Sequence, residues 1–293
     1  MIMDLLETVK NAERNKKAVA HFNVANLEML KAISHVAEKF GVPIIVGVSE
    51  GERAYMGVHH IADLIRSYNE EHHTKQGYHL FLNADHTHSL ENVEKAVRAG
   101  FDALVFDAAD KSFEENIELT AEAVQRAHSI RQNIIVEGEL GYIGQSSRLL
   151  DTLPEGATVM LEDLPTVEQI REFVERTGVD MVAPAVGNVH GMFRSTQNPE
   201  IQIERIQEIK SVVEAPLILH GGSGITDEAF ILAIDAGMSV VHISTELRRA
   251  WRTAWEQAMQ DNPDEIASYK MIPSVLSAME EVIERRVKLF WKI

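Results

Sequence analysis

The sequence predicts an α/β protein of the (β/α)8 TIM-barrel class. Short β-rich runs alternate with longer amphipathic runs along the whole chain, a pattern typical of parallel strands joined by helices. Eight such units in 293 residues suit one barrel, so we expect a single domain over residues 1–293. We also expect a long loop at about 144–164 and a C-terminal helical extension. A doubly wound open sheet is the alternative, because its units look alike locally.

The predicted strands are short apolar runs, most of which end in polar residues or glycine. They span residues 18–24, 43–49, 79–85, 103–108, 134–140, 181–187, 216–222 and 240–245. Amphipathic segments between them predict helices, several with a glycine placed as a C-cap: 26–41, 90–100, 113–129, 166–178 and 226–237. In such a barrel the active site lies at the carboxyl ends of the strands.

The composition excludes several classes of function. The chain has no cysteine, which removes disulfides and thiolates and leaves His, Asp and Glu as the strong metal ligands. A net charge of -17 argues against nucleic-acid binding, which needs clustered Lys and Arg. No run is apolar and long enough for a signal peptide or a membrane span. We therefore expect a cytoplasmic protein without nucleic-acid or membrane partners.

Polar side chains stand at the predicted carboxyl ends of most strands. They are Asn23, Ser49, Asp85, His86, Asp107, Glu137, Glu139, His190, His220, His242, Ser244 and Thr245. A single histidine at such a place is more often a hydrogen-bonded structural residue than a metal ligand. Several histidines at separate strand ends favour a metal site, because the fold brings those ends together at one mouth of the barrel. Three neutral imidazoles with an open fourth position suit a catalytic zinc site.

Other histidines have plainer interpretations. His21 and His79 fall inside predicted strands, so we expect core or supporting roles for them. His88 opens a helical segment, where a cap, supporting or surface role is expected. A Schiff-base mechanism would need a lysine in the barrel mouth, but no predicted strand contains one and Lys111 is the nearest candidate. Metal chemistry is therefore favoured over covalent amine chemistry.

A glycine-rich turn, LHGGSGI at 219–225, follows the seventh predicted strand. Ser223 would offer a hydroxyl to an anion there, and backbone N–H groups would approach it closely at Gly221, Gly222 and Gly224. The eighth predicted strand ends in HISTEL, 242–247, and leads directly into another helix. Barrels commonly bind phosphate at this corner. The alternative is a tight turn with a Ser or Thr cap.

Seven segments carry a family resemblance. They are AVAHFNVANLE, PIIVGVSEG, ADHTHSLENVEKAVRAGFDALVFDAADKSFEENI, VEGELGYIG, FVERTGVDMVAPAVGNVHG, LILHGGSGI and HISTELRRAW. With them the chain resembles the class II, zinc-dependent family of fructose-bisphosphate and tagatose-bisphosphate aldolases. The likeness covers nearly the whole chain to about residue 255.

The resemblance implies the same barrel and a role for each matching residue. It implies a catalytic zinc held by His86, His190 and His220. It implies that Asp85 is the acid/base on the substrate's C4 hydroxyl and that a second metal position uses Asp107 and Glu139. It also implies that the phosphate of the dihydroxyacetone phosphate half contacts Gly191, Gly221, Ser223, Ser244 and Thr245, with Asn23 and Ser49 near the substrate.

Three short motifs depart from the family's usual pattern. Thr87 follows the first histidine ligand where the family has glycine. Two alanines, 108–109, follow Asp107 where the family reads Gly-Ser. His242 replaces an asparagine that contacts the enediolate.

The loop after the fifth strand is a fourth departure. The family carries a glutamate base there, whereas this chain reads Gly-Gln-Ser-Ser at 144–147, with Asp151 and Glu155 as the nearest later acids. We therefore expect His242 or an acid of the 144–164 loop to protonate the enediolate.

The expected function is the reversible, zinc-dependent cleavage of a ketose 1,6-bisphosphate, with fructose 1,6-bisphosphate as the first candidate. The products would be dihydroxyacetone phosphate and glyceraldehyde 3-phosphate, formed through an enediolate that zinc stabilises. One alternative is an aldolase or isomerase for another sugar phosphate on the same metal site. Another is a catalytically silent homologue that binds metal and phosphate. The family suggests a homo-oligomer of two or four copies.

Overall fold

Eight parallel strands close into a barrel in the computed structural model, which describes residues 3–144, 149–157, 159–194 and 198–293. The barrel strands are β1 (Val19–Asn23), β2 (Pro43–Val48), β3 (His79–Thr87), β4 (Ala103–Phe106), β5 (Ile135–Leu140), β7 (Met181–Pro184), β9 (Leu217–Leu219) and β10 (Met238–Ile243). Two short strands, β6 (Leu149–Leu150) and β8 (Met192–Phe193), form a separate parallel pair. The predicted barrel is confirmed, and the open-sheet alternative is wrong because β1 pairs with β10.

Helices surround the barrel and connect its strands. They are α1 (Leu5–Arg14), α2 (Leu27–Phe40), α3 (Glu50–Met56), α4 (Val58–Glu71), α5 (Leu90–Ala99), α6 (Phe113–Ile130), α7 (Val167–Thr177), α8 (Ile203–Val212), α9 (Asp227–Ala236), α10 (Thr245–Asp261) and α11 (Ser268–Trp291). The side chains of Asn26, Ser89 and Thr226 cap α2, α5 and α9 by accepting a backbone N–H. Gly41 and Gly100 end α2 and α5 in the left-handed conformation, as their positions in the sequence predict.

Side chains inside the barrel form an apolar layer at the amino ends of the strands and a polar layer above it. The apolar layer is Val19, Ile45, Phe81, Ala103, Ile135, Met181, Ile218 and Val240, joined by Leu5, Val9 and Ala12 of α1. Successive strand residues face opposite sides, so the next inward positions lie two and four residues further along. On β1 these positions are His21 and Asn23, and on β3 they are Asn83 and Asp85. Because every second residue of a strand points inward, these polar side chains lie inside the barrel at its carboxyl end.

The segment 144–164 is only partly described. Within it Leu149–Leu150 pairs with Met192–Phe193, which ties this loop to the one after β7. Residues 145–147, most of the stretch where the family's glutamate is missing, lie outside the described residues. At the end of the chain, α11 packs against α10 and α2. In the described ranges, no helix has the length and apolar character needed to cross a membrane.

Candidate active site

Three histidines meet at the carboxyl end of the barrel. His86 lies on β3, His190 in the loop after β7, and His220 directly after β9. Their ring centroids are separated by 4.8 Å for His86 and His190, 5.2 Å for His86 and His220, and 5.8 Å for His190 and His220. One possible ligand atom from each histidine and one from Glu139 all lie within 4.8 Å of one another. The structure thus brings together the three predicted histidine ligands and one of the two predicted carboxylates.

The donor atoms of this group fit a divalent cation. Glu139 Oε2, His190 Nε2 and His220 Nδ1 are buried and have no hydrogen-bond partner among the described residues. Buried polar atoms are normally paired, so three convergent unpaired atoms need an explanation. Imidazole and carboxylate donors in a tight group suit zinc, which the family resemblance implies.

Two carboxylates orient the histidines from outside the group. His220 Nε2 lies 2.7 Å from Glu137 Oε1, which leaves His220 Nδ1 free to face a cation. His86 Nδ1 lies 2.9 Å from Asp107 Oδ2. Burial lowers the pKa of His220, but the charge and hydrogen bond of Glu137, together with the charge of Glu139, outweigh burial and raise that pKa. Such carboxylate–histidine contacts fix the ring orientation and increase ligand basicity.

The two carboxylates predicted for a second cation both approach His86. Besides the contact with Asp107, His86 Nδ1 lies 3.7 Å from Glu139 Oε2. Burial, followed by the charge of Asp107, raises the pKa of Glu139 to about 8. Two neighbouring carboxylates oppose each other's ionisation unless a cation lies beside them. The second metal position stays a prediction.

Asp85 is held as an ionised carboxylate beside the histidines. Its Oδ2 accepts a hydrogen bond of 2.8 Å from Asn23 Nδ2, and its Oδ1 lies 3.5 Å from His242 Nδ1 and 3.9 Å from His86 Nε2. Burial raises the pKa of Asp85, but attraction to His86 and His242 outweighs burial and holds that pKa well below its usual range. Asp85 is therefore ready to accept a proton.

His242 belongs to a stack of three imidazoles. Its ring centroid is 3.5 Å from that of His21, with the planes 3° apart, and 4.0 Å from that of His220. Burial, then the neighbouring His21 and His220, hold the pKa of His242 well below its usual value, so the ring is neutral. His21 has the supporting place that its position inside a strand predicts. A Cβ on Gly47 would lie only 2.1 Å from the His21 ring, so glycine makes room for the stack.

Five residues predicted to hold a phosphate line one cavity next to the histidines, and we call them the phosphate cradle. They are Gly191, Gly221, Ser223, Ser244 and Thr245. Ser223 Oγ accepts the backbone N–H groups of Ser244 and Glu246, both at 3.2 Å, and donates to no other described residue, so its proton can bind a ligand. The hydroxyls of Ser244 and Thr245 are buried without a partner among the described residues, at the start of α10. A helix N-terminus with free hydroxyls suits an anion.

Two other residues that were predicted to bind the substrate, Gly222 and Ser49, do not line the cavity of the cradle. The N–H of Gly222 donates to the His242 carbonyl at 3.0 Å and is therefore occupied within the protein. Ser49 caps α3 and lines an adjoining cavity, together with His88 and Arg248. Asn23, Asp85, His86 and His190 line both cavities. The two cavities therefore adjoin each other, with the cradle in one and Arg248 in the other.

Sequence reasoning missed the residues that support the site. Glu52 Oε2 accepts from Asn23 Nδ2 at 3.2 Å, and Glu52 Oε1 accepts from Arg248 Nη2 at 2.6 Å. Arg53 is buried against the turn that carries His86. Glu137 was recognised as a polar strand-end residue but had no assigned role. Its inward position, two residues before Glu139, was the signal that could have identified it.

The chain is similar to known aldolases along its whole length. The profile of the family described as fructose-bisphosphate aldolase class-II matches residues 3–292. The chain is 32% identical over 290 residues to the probable fructose-bisphosphate aldolase of Bacillus subtilis, covering 99% of this chain and 97% of that one. It is also 32% identical over 290 residues to the fructose-bisphosphate aldolase of Geobacillus stearothermophilus, covering 99% and 96%. The crystal structure of the YdjI aldolase of Escherichia coli K12 matches with a TM-score of 0.80 and 30% identity, covering 99% of this chain and 97% of that one.

Proposed function

The chain belongs to the class-II fructose-bisphosphate aldolase family and is an aldolase, and from that premise we propose that it cleaves a ketose 1,6-bisphosphate with zinc, fructose 1,6-bisphosphate being the first candidate. One observation carries the proposal. His86 and His190 line one cavity with the ionised Asp85 and the phosphate cradle, and a possible ligand atom of His220 lies within 4.8 Å of those of His86 and His190. These are the parts needed to hold a metal, move a proton and bind a phosphorylated ketose.

The proposed metal ligands are His86, His190 and His220, with Glu139 beside them. A divalent cation bound there would polarise the substrate carbonyl and stabilise the negative charge that develops when the carbon–carbon bond breaks. Glu137 and Asp107 hold the rings of His220 and His86 in place for that task.

We assign the C4 hydroxyl proton to Asp85. Cleavage between C3 and C4 turns the C4 hydroxyl into an aldehyde, so that proton must leave. Asp85 is ionised, and Asn23 fixes one of its carboxylate oxygens through the 2.8 Å hydrogen bond. Asn23 is fixed in turn by Glu52, so the carboxylate has little freedom to rotate.

We assign the protonation of the carbanionic product to His242, whose neutral ring would first take up the proton that Asp85 removes from the C4 hydroxyl and then pass it to the carbanion. Its ring lines the cavity and lies next to Asp85, so the two groups that handle protons are neighbours. The two acids considered as alternatives, Asp151 and Glu155, do not appear among the described residues that line the cavity. Asp151 is an exposed residue that pairs with Arg194 at 3.2 Å.

Two adjoining cavities suit a substrate with two anionic groups. The phosphate cradle lines one cavity, and Arg248 lines the other together with Ser49. We propose that the cradle holds the phosphate on the dihydroxyacetone half and that Arg248 faces the distal phosphate. A ketose monophosphate would then bind more weakly than a bisphosphate.

The test is an aldolase assay with fructose and tagatose 1,6-bisphosphates, each with and without a chelator. We expect cleavage of one bisphosphate, loss of activity with the chelator, and recovery with zinc. Full activity of metal-free protein, or trapping of substrate on a lysine by borohydride, would refute the zinc assignment. Binding of zinc and dihydroxyacetone phosphate without cleavage of either bisphosphate would favour a different sugar phosphate.

We also propose a cytoplasmic homo-oligomer of two or four copies, on the basis of family membership. Light scattering after size exclusion tests the assembly. A mass equal to that of the 32.8 kDa chain would contradict it.

A further inference from the structure

We propose that Arg53 and Thr87 are positioning residues that hold His86 in the orientation its metal-binding role requires. This inference rests on the proposed metal site. It assigns a role to Thr87, which stands where the family usually has glycine, and to Arg53, a buried charge that the reaction does not use.

The backbone at His86 has an unusual conformation. Its φ angle is 44°, a positive value that residues with a Cβ atom adopt infrequently. Lys16 and Lys292, the other described non-glycine residues with positive φ, follow the ends of helices. His86 instead lies near the end of a barrel strand, inside the site. Such a conformation persists where the surrounding structure fixes it.

Thr87 fixes the turn from its carboxyl side. Its hydroxyl donates to the Ala84 carbonyl at 3.1 Å and accepts from Arg53 Nη2 at 3.0 Å. The first of these bonds spans His86 and closes the turn locally. The second bond connects the turn to α3. A glycine at position 87 could make neither bond.

Arg53 also holds the turn on the amino side of His86. Its Nη1 donates to the Asp85 carbonyl at 3.0 Å and to the Val48 carbonyl at 2.6 Å. One guanidinium therefore binds the residue before His86 and the residue after it. The planar fork of arginine supplies several donors in fixed directions, which a lysine cannot do.

Burial makes this arrangement rigid. Arg53 is 4% exposed and Thr87 is 0% exposed, and the nearest acidic atom to the Arg53 guanidinium is Glu50 Oε1 at 3.9 Å. A buried cation with so distant an acidic partner depends on its hydrogen bonds to carbonyl and hydroxyl oxygens. The same bonds hold the β3 end against α3. His86 then presents one ring nitrogen toward Asp107 and the other toward Asp85.

The experiment measures metal binding to the purified, metal-free enzyme. Thr87→Val removes the hydroxyl at nearly constant volume, and Arg53→Met removes the guanidinium. We expect each variant to bind Zn²⁺ about tenfold or more weakly, the usual effect of losing a supporting group outside the ligand set. We also expect a changed absorption spectrum of the Co²⁺-substituted protein. The double variant should lose less than the sum of the two single effects, because both single changes break the bond between Arg53 and Thr87.

Controls separate positioning from general damage. Thr87→Ser keeps the hydroxyl and should retain near wild-type affinity and spectrum. Arg66→Met removes an exposed arginine on α4 and should change neither. If Arg53→Met does not fold, Arg53→Lys replaces it in the experiment. We expect weaker Zn²⁺ binding from Arg53→Lys too. Wild-type affinity and spectrum in Thr87→Val would overturn the inference. Failure of the wild-type enzyme to bind Zn²⁺ or Co²⁺ would instead overturn the proposed metal site.

Discussion

The proposed metal group, which consists of His86, Glu139, His190 and His220, adjoins the phosphate cradle but is built from different chemical groups. The metal group consists of charged or chargeable side chains, and carboxylates such as Glu137 and Asp107 orient them from behind. The cradle consists of backbone N–H groups and hydroxyls, with Ser223 at its centre. The groups with shifted pKa values, such as Asp85, His86 and Glu139, lie in or beside the metal group.

This difference has a physical reason. A divalent cation needs lone pairs from unprotonated ligands, so its site must bring several titratable groups into a space without water. A phosphate group already carries charge and binds to hydrogen-bond donors that need no change of protonation. We therefore expect changes in the metal group to alter kcat strongly and with pH, and changes in the cradle to alter KM modestly.

The largest effect should come from removing a metal ligand. We expect His220→Ala to lower kcat/KM by at least about 10³-fold, because the electrostatic stabilisation by the metal is worth several kcal/mol. Bound zinc, measured by mass spectrometry, should fall in parallel. His79→Ala is the matched control, since His79 begins β3 at the opposite end of the barrel. Activity in His220→Ala within tenfold of the wild type would contradict the metal assignment.

The next effect should come from Asp85→Asn, which keeps the shape of the side chain but cannot accept the proton. We expect kcat to fall by about 10²-fold or more, the usual contribution of a positioned acid/base group. Zinc content should stay near wild type, which separates this variant from the loss of a ligand. Asp102→Asn is the control, because Asp102 accepts the Leu82 N–H near the amino end of β4. A parallel loss of zinc would show that Asp85 acts through the metal group instead.

A smaller effect should appear in the pH dependence of metal affinity. Burial and Asp107 raise the pKa of Glu139 to about 8 in the metal-free protein, so Glu139 holds a proton below that pH. A bound cation expels this proton, so affinity should fall as pH is lowered from about 8 to 6. Each displaced proton corresponds to about tenfold per pH unit, and His86 and His220, whose pKa values are also raised, would add to the slope. Calorimetry in buffers of different ionisation enthalpy should show proton release, and pH-independent affinity would contradict the prediction.

Much of the fold and of the candidate site could be predicted from the sequence. Alternating strand and helix patterns predicted the eight barrel strands, and the polar strand ends included His86, His190 and His220, which the structure brings together. The pair β6 and β8 could not be predicted, because two residues per strand are too few to show a period. The partners of the ligands were also missed. Glu137 and His220 are 83 positions apart, so only the closed barrel shows that they touch.

The smallest effect should come from the cradle. Ser223→Ala removes one hydroxyl donor to the phosphate, and a hydrogen bond to a charged group is worth roughly 1.5 to 3 kcal/mol. We expect KM for dihydroxyacetone phosphate in the condensation direction to rise about tenfold or more, with zinc content and the pH dependence of metal affinity unchanged. Ser239→Ala is the control, since Ser239 lies on β10 at the opposite end of the barrel, where it is also buried and donates to Glu13 of α1. If Ser223→Ala changed zinc content instead of KM, the two parts of the cavity would not be separable. The cradle would then act by supporting the metal group rather than by binding phosphate.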